Sequence, residues 1–282
     1  MTAPANPLAA TRGAIEIVDL VKAYDHNGVS VPAVDHCSLS IPAGEICMIV
    51  GPSGCGKTTL LNAIAGFHPI DGGAVMLDGA TLCGPGRPKA PIGADRIVVF
   101  QNGALFPWKT NLDNVAFGPI VQKKLSKAES YDKARQLMAE AGLTGYEHKY
   151  PSELSSGLQR RVEIARALMN DPAVLLLDEP YRALDALSKS IMHEALLDAY
   201  YRTGVTIFFI THDLEEAIFL GHRVVTMTSR PCRPKRIFDI DIPHPRRYDV
   251  LTSPRFRELA AEISACVDEE AAKSFALGEK EG

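Results

Sequence analysis

Ile46-Cys47-Met48-Ile49-Val50-Gly51-Pro52-Ser53-Gly54-Cys55-Gly56-Lys57-Thr58-Thr59 decides the fold of this 282-residue chain. Five apolar residues read as a strand, the glycine-rich stretch as a loop, and the residues from Lys57 as a helix. Glycines let backbone N–H groups turn inward around phosphate oxygens, where a Cβ would clash. The helix N-terminus adds the positive end of its dipole. In this pattern Gly51, Pro52, Ser53, Gly54, Cys55, Gly56 and Thr59 shape the cradle. Lys57 reaches the β- and γ-phosphates, and the Thr58 hydroxyl sits on Mg²⁺. The competing reading, a bare glycine-rich turn, is disfavoured by the strand and helix that flank it. The loop predicts a nucleotide and leaves its use open.

Composition sets outer bounds. The chain is 46% hydrophobic and 23% charged, with a formal net charge of −4. This is ordinary for a globular α/β protein and gives no electrostatic case for nucleic acid. No apolar run approaches the ~20 residues that span a bilayer, and Met1–Thr11 lacks the pattern of a secretory signal. The six cysteines show no metal-type spacing and read as reduced thiols. Cys55 stands apart, because a helix N-terminus lowers a thiol's pKa. Its alkylation is expected to block nucleotide binding, and nucleotide to protect it.

Apolar runs predict strands at Ile15–Leu20, Val34–Ile41, Ile46–Val50, Ala74–Leu77, Ile97–Phe100, Val174–Asp178, Thr206–Ile210 and Val224–Met227. Helical patterns cover Lys57–Ala65, Lys127–Ala141, Gly157–Met169, Ala186–Tyr201 and Leu214–Leu220. Asp78-Gly79 reads as a hairpin turn and Leu82–Ala94 as a loop. The expected organisation is a disordered tail over 1–13, a nucleotide-binding core over 14–101 and 171–230, and an inserted helical subdomain over 102–170. Residues 231–282 form a short extension with a helix at Pro254–Cys266, too small for a regulatory domain.

Three further strand ends carry chemistry. The apolar run Val174–Leu177 ends in Asp178-Glu179, and buried acids there are costly unless they meet a cation or do chemistry. Strand alternation gives them different faces and different tasks. Asp178 would hold Mg²⁺, and Glu179 would act as general base on the attacking water. His212 follows the strand Thr206–Ile210, where ligands sit in such sheets, and would contact the γ-phosphate. Gln101 follows Ile97–Phe100, in reach of Mg²⁺ or the water, and tethers the helical insert.

In this order the motifs resemble the ATPase subunits of ABC transporters over nearly the full length. Leu154-Ser155-Ser156-Gly157-Leu158-Gln159 resembles that family's signature, and Ala183-Leu184-Asp185 its D-loop. The resemblance implies an α/β fold. It would have a RecA-like P-loop NTPase core, an N-terminal antiparallel β portion and an inserted α-helical subdomain. It also implies ATP with Mg²⁺, and Tyr24 stacked on adenine. Two copies would pair head to tail, with Ser155 and Gly157 of one touching the γ-phosphate held by the other, and Asp185 near the same nucleotide. Ser156 departs from the usual glycine. Either it caps the signature helix through Ser156-x-x-Gln159, or its Cβ hinders approach to the phosphate and slows hydrolysis. Arg182 is bulkier than the small residue expected there.

Leu105–Gly118, Ser229–Ile237, Asp241-Ile242-Pro243 and Ser253–Phe256 resemble the subfamily serving nitrate, sulfonate and taurine importers. That resemblance implies a multi-span permease docked on the helical insert, near Trp108 unless that side chain is core. It also implies a solute-binding protein acting indirectly, and a peripheral place on the cytoplasmic face of the plasma membrane. The alternatives are an ABC ATPase of an exporter, a soluble ABC clamp acting on DNA or ribosomes, and a nucleotide sensor with little turnover. No Asn-Lys-x-Asp segment supports guanine recognition.

Overall fold

A computed structural model describes residues 11–26, 28–182 and 184–276. The tail expected over 1–13 lies outside the described residues up to residue 10, as do the polar end from 277 and Ala183. In chain order the strands are β1 (Ile15–His26), β2 (Val29–Ile41), β3 (Ile46–Val50), β4 (Gly72–Leu77), β5 (Ala80–Cys83), β6 (Arg96–Val99), β7 (Val174–Asp178), β8 (Thr206–Ile210), β9 (Arg223–Met227) and β10 (Pro234–Asp239). The helices are α1 (Lys57–Ala65), α2 (Asn111–Val121), α3 (Lys127–Glu140), α4 (Ser156–Leu168), α5 (Ala186–Thr203), α6 (Leu214–Leu220) and α7 (Pro254–Ala276). The chain divides into two compact units, residues 1–92 with 204–282, and residues 93–203.

In the first unit β1 pairs antiparallel with β2 and with β4, and β5 folds back on β4. Asp78 and Gly79 join β4 to β5 with φ of 51° and 77°, the left-handed pair that a two-residue hairpin needs. The Asp78 carboxylate also accepts the Gly13 and Ala14 N–H groups at 2.7 and 2.8 Å, which anchors the start of β1. β5 claims Leu82 and Cys83 from the segment expected to be a loop, because both side chains are buried.

A second sheet in this unit sets β3 parallel to β8 and to β9, with β10 antiparallel to β9. All five residues of β3 and of β8 are buried. Strands covered on both faces are apolar without alternation, and Phe208 and Phe209 each contribute about 1.5–3 kcal/mol by burial. Helix α1 ends where Gly66 turns left-handed and donates to the Ala63 carbonyl at 3.2 Å. Helix α7 runs to Ala276, past the expected Cys266. Its buried stripe Phe256, Leu259, Ile263 and Cys266 continues to Glu270, which accepts the Ser229 N–H at 2.9 Å and pairs with Lys235 and Lys273 at 2.9 and 2.7 Å.

In the second unit β6 and β7 pair parallel, and α2, α3 and α4 enclose a core that includes Leu112, Val115, Met138 and Val162. Helix α2 was not foreseen, because Gly118 and Pro119 interrupt its pattern. Thr110 caps it by accepting the Asp113 N–H, and tertiary packing overrides the weak local propensity. Helix α3 opens on the capping box Ser126-x-x-Glu129.

Candidate active site

The loop between β3 and α1 is built around Gly56. A Cβ there would stand 2.3 Å from the Ala33 carbonyl oxygen and 2.8 Å from the Cys232 Cβ, and its φ is 121°. No other residue fits. Gly56 is also the N-cap of α1, with no side-chain cap and no acid in the first turn. The helix therefore presents its N-terminal N–H groups without a side-chain acceptor, which is the environment an anion completes. Gly51 packs on Met227. Ser53, Gly54 and Thr58 are exposed, and Pro52 and Thr59 half-buried. Lys57 is 6% exposed, and its Nζ donates to the Gly51 and Pro52 carbonyls at 2.8 and 2.7 Å. A buried ammonium held by the loop it serves is ready to exchange carbonyl oxygens for phosphate oxygens.

Cys55 is buried, with its Sγ 3.8 Å from Lys57 Nζ. Its thiol is lowered to about 7. The helix N-terminus was the expected cause. The largest cause is instead a hydrogen bond from Cys232, which outweighs the cost of burial, and the Lys57 charge adds to it. Cys232 lies far along the chain, so sequence spacing gave no signal of this pair.

Tyr24 on β1 is 37% exposed, and its hydroxyl meets His68 Nδ1 at 2.8 Å. Lys22 Nζ stands 5.4 Å from its ring centroid, leaving an amphipathic ring on the surface. His212 is exposed on the segment between β8 and α6.

In the second unit Asp178 ends β7 and is 9% exposed. Glu179 leaves the strand with φ of 42°, a left-handed conformation that costs a non-glycine residue about 1–3 kcal/mol and recurs at functional sites. Its Oε2 accepts from Arg182 Nη1 at 3.3 Å. Asp185 accepts the Ser188 N–H and hydroxyl at 2.9 and 2.7 Å, contacts that hold its carboxyl below the usual range.

Ser155, not Ser156, caps α4, by accepting the Leu158 N–H at 3.4 Å. Ser156 occupies the first helical position, and Gln159 Nε2 turns back to the Pro151 and Leu154 carbonyls at 2.9 and 3.1 Å. The expected Ser156 capping box therefore does not form, and the N-cap lies one residue earlier, at Ser155. A Cβ added at Gly157 would meet nothing within 4 Å. Gln101 is exposed, but its backbone is fixed from α4. Arg160 donates to the Phe100 and Gln101 carbonyls at 2.7 and 2.9 Å and pairs with Glu163 at 2.5 Å, while Glu163 accepts the Ala104 N–H at 2.6 Å. Sequence reasoning missed this staple, although Arg160 and Glu163 stand at helical i,i+3 spacing. Trp108 is 72% exposed and lies 5.6 Å, centroid to centroid, from Phe106, which excludes the core reading. Phe106 helps line a cleft of about 320 Å³ with Phe100, Phe117 and Arg166.

The residues fit a nucleotide with Mg²⁺. The uncapped α1 terminus and Lys57 suit phosphate, and Thr58 offers one hydroxyl oxygen. Among the described residues no group of three or more His, Cys, Asp or Glu side chains converges as a metal site. A Mg²⁺ ion here would take phosphate oxygens and water alongside few protein ligands.

Strand, phosphate loop and acid-tipped strand define a P-loop NTPase. Comparison narrows the class: residues 34–182 match the family described as ABC transporter, and the chain belongs to it. It is 42% identical over 261 residues to an uncharacterized ABC transporter ATP-binding protein of Methanocaldococcus jannaschii, covering 93% of this chain and 94% of the relative. It is 44% identical over 223 residues to the taurine import ATP-binding protein TauB of Rhizobium johnstonii, covering 77% and 81%. It is 40% identical over 257 residues to the nitrate import ATP-binding protein NrtD of Synechocystis sp., covering 89% and 94%. Its fold is similar to a dimeric post-hydrolysis ATP-binding cassette bound to ADP and Pi. There the TM-score is 0.70 at 29% identity, over 81% of this chain and all of that one. The chain is thus an ABC-family ATPase, and ATP is its nucleotide.

Proposed function

We propose that the chain is the energy-coupling ATPase of an importer for a small anionic or zwitterionic solute such as nitrate, a sulfonate or taurine. The observation that carries this reading is its 40–44% identity, over three quarters of the chain or more, to proteins named for nitrate and taurine import. Nothing specific favours export.

In this reading the Gly51–Thr59 loop and Lys57 hold the β- and γ-phosphates, and Tyr24 stacks on adenine. Thr58, Asp178 and Gln101 would hold Mg²⁺, which supplies charge neutralisation on the phosphate oxygens. Glu179 orients and deprotonates the attacking water, and His212 holds the γ-phosphate in place. Ser155 and Gly157 complete the site of a second copy. The open space over Gly157 supports this, because the glycine answers no packing need among the described residues. The apolar cleft between β6 and the helical segment 102–170, lined by Phe100, Phe106 and Phe117, would receive a short cytoplasmic helix of a multi-span permease. Among the described residues no helix is long and apolar enough to cross a membrane, so this docking would place the chain peripherally on the cytoplasmic face. A solute-binding protein would act through the permease.

Uptake of labelled taurine, an alkanesulfonate and nitrate by a strain lacking the chain tests the reading. Loss of one uptake, restored by the wild-type chain and not by Glu179→Gln, is the expected result. Unchanged uptake of all three overturns the solute class, and increased retention of solute overturns the direction.

A further inference from the structure

Cys232 sits in the turn between β9 and β10, directly beneath the phosphate loop. Its N–H donates to the Ala33 carbonyl at 2.9 Å, and its own carbonyl accepts the Asp35 N–H at 3.3 Å. The Gly56 backbone lies against its Cβ. Cys55, the residue before Gly56, is buried beside it, with its Sγ 3.8 Å from Lys57 Nζ. Both side chains are buried, as is nearby Cys37. These thiols do not form a metal site, since no such cluster exists among the described residues. Their chemistry diverges instead. Burial pushes Cys37 up to about 12, while Cys232 and Lys57 bring Cys55 down to about 7. One thiol of the group, beside the Lys57 ammonium, is a nucleophile near neutral pH, and a second thiol packs against the next residue, Gly56. This is the arrangement of a reactive cysteine beside its resolving cysteine.

We propose that Cys55 and Cys232 are a redox pair, which peroxide converts to a disulfide in the nucleotide-free chain, locking the phosphate loop against nucleotide. The Cys55 thiolate attacks a peroxide oxygen. An S–O bond forms, the O–O bond breaks, and hydroxide leaves and takes a proton. Cys232 then gives up its proton and attacks the Cys55 sulfur. The S–S bond forms, the S–O bond breaks, and a second water leaves. Two thiols lose two electrons, and one peroxide becomes two waters. Closing to an S–S bond of about 2.05 Å draws Cys55 toward the β9–β10 turn and carries the Cys55 and Gly56 N–H groups with it. Those are groups that a phosphate would use.

The coupling to nucleotide rests on the ATP reading of the loop. Lys57 serves either partner. When it neutralises phosphate it no longer supports the thiolate, and the phosphate charge opposes thiolate formation. Nucleotide and oxidation therefore exclude one another, and the exclusion is reciprocal.

The test treats the nucleotide-free wild-type chain with hydrogen peroxide, alkylates the remaining thiols and maps the peptides. A Cys55–Cys232 linked peptide is expected, cleaved by dithiothreitol with recovery of ATP binding, and formed at least tenfold more slowly under saturating Mg-ATP. Cys232→Ala is expected to give sulfinic acid at Cys55 and no link. Absence of the linked peptide, or a link from Cys232 to Cys37, overturns the pair while leaving the ATP reading intact. A link that forms freely while ATP neither protects nor is excluded overturns the coupling and the nucleotide reading of this loop, and leaves the thiol chemistry standing.

Discussion

Arg182 is the residue at which this chain departs most usefully from expectation. Its guanidinium is 58% exposed and reaches the far less exposed Glu179 carboxylate at 3.3 Å. An exposed pair of this kind is worth about 0.2–1 kcal/mol. The contact occupies a lone pair on the oxygen proposed to orient the attacking water, so it must yield during turnover. Arg182→Ala is therefore expected to raise kcat by about 1.4- to fivefold, the rate equivalent of that range, with little change in KM. A fall in kcat would assign Arg182 a positive part in hydrolysis. At this scale the sequence was legible where position follows local order: Lys57 opens α1 and Asp178 ends β7, as the apolar runs before them predict. It was opaque where distant chain meets, as at Cys55 with Cys232. The choice between Ser155 and Ser156 as cap was also closed to it, because both serines satisfy the pattern and only backbone geometry separates them.

Among the elements, α7 depends on one buried acid. Burial alone would raise the Glu270 carboxyl, but Lys273, Lys235 and the Ser229 N–H hold it at about 2, against an ordinary 4.5. A depressed carboxyl contributes stability that is present above its unfolded value and is lost as pH falls through the folded one. The window is thus about pH 4.5 down to 2, with a contribution on the order of 3 kcal/mol. Glu270→Gln is expected to lower the thermal midpoint at pH 7 and to flatten its fall over that window. Parallel curves for variant and wild type would show that α7 is held by its apolar stripe instead. The central strands were legible because continuous burial leaves continuous apolar runs, and β3, β7 and β8 begin and end where the runs do. β10 escaped because Pro234, Lys235 and Arg236 carry no apolar period; pairing with β9 makes it a strand. The far half of α7 escaped because charges, not a hydrophobic repeat, hold it.

For the molecule as a whole, the open question is which copy completes which site. In the proposed head-to-tail pair, related by a twofold axis, each site would be made from the phosphate loop of one copy and the α4 terminus of the other. Gly157→Glu should fold, since an added Cβ meets nothing within 4 Å and an acid in a helix's first turn is stabilising. It should bind ATP normally and lack turnover, whereas Lys57→Ala should lose ATP binding itself. Mixed, the two variants form heterodimers in which one site carries both lesions and the other carries none. Activity is then expected to reappear on mixing, up to about a quarter of wild type for random pairing with independent sites. If both motifs served the same copy's site, each lesion would inactivate its own copy and mixing would recover nothing. Gel filtration of the mixture, showing dimers under ATP without activity, would establish that outcome.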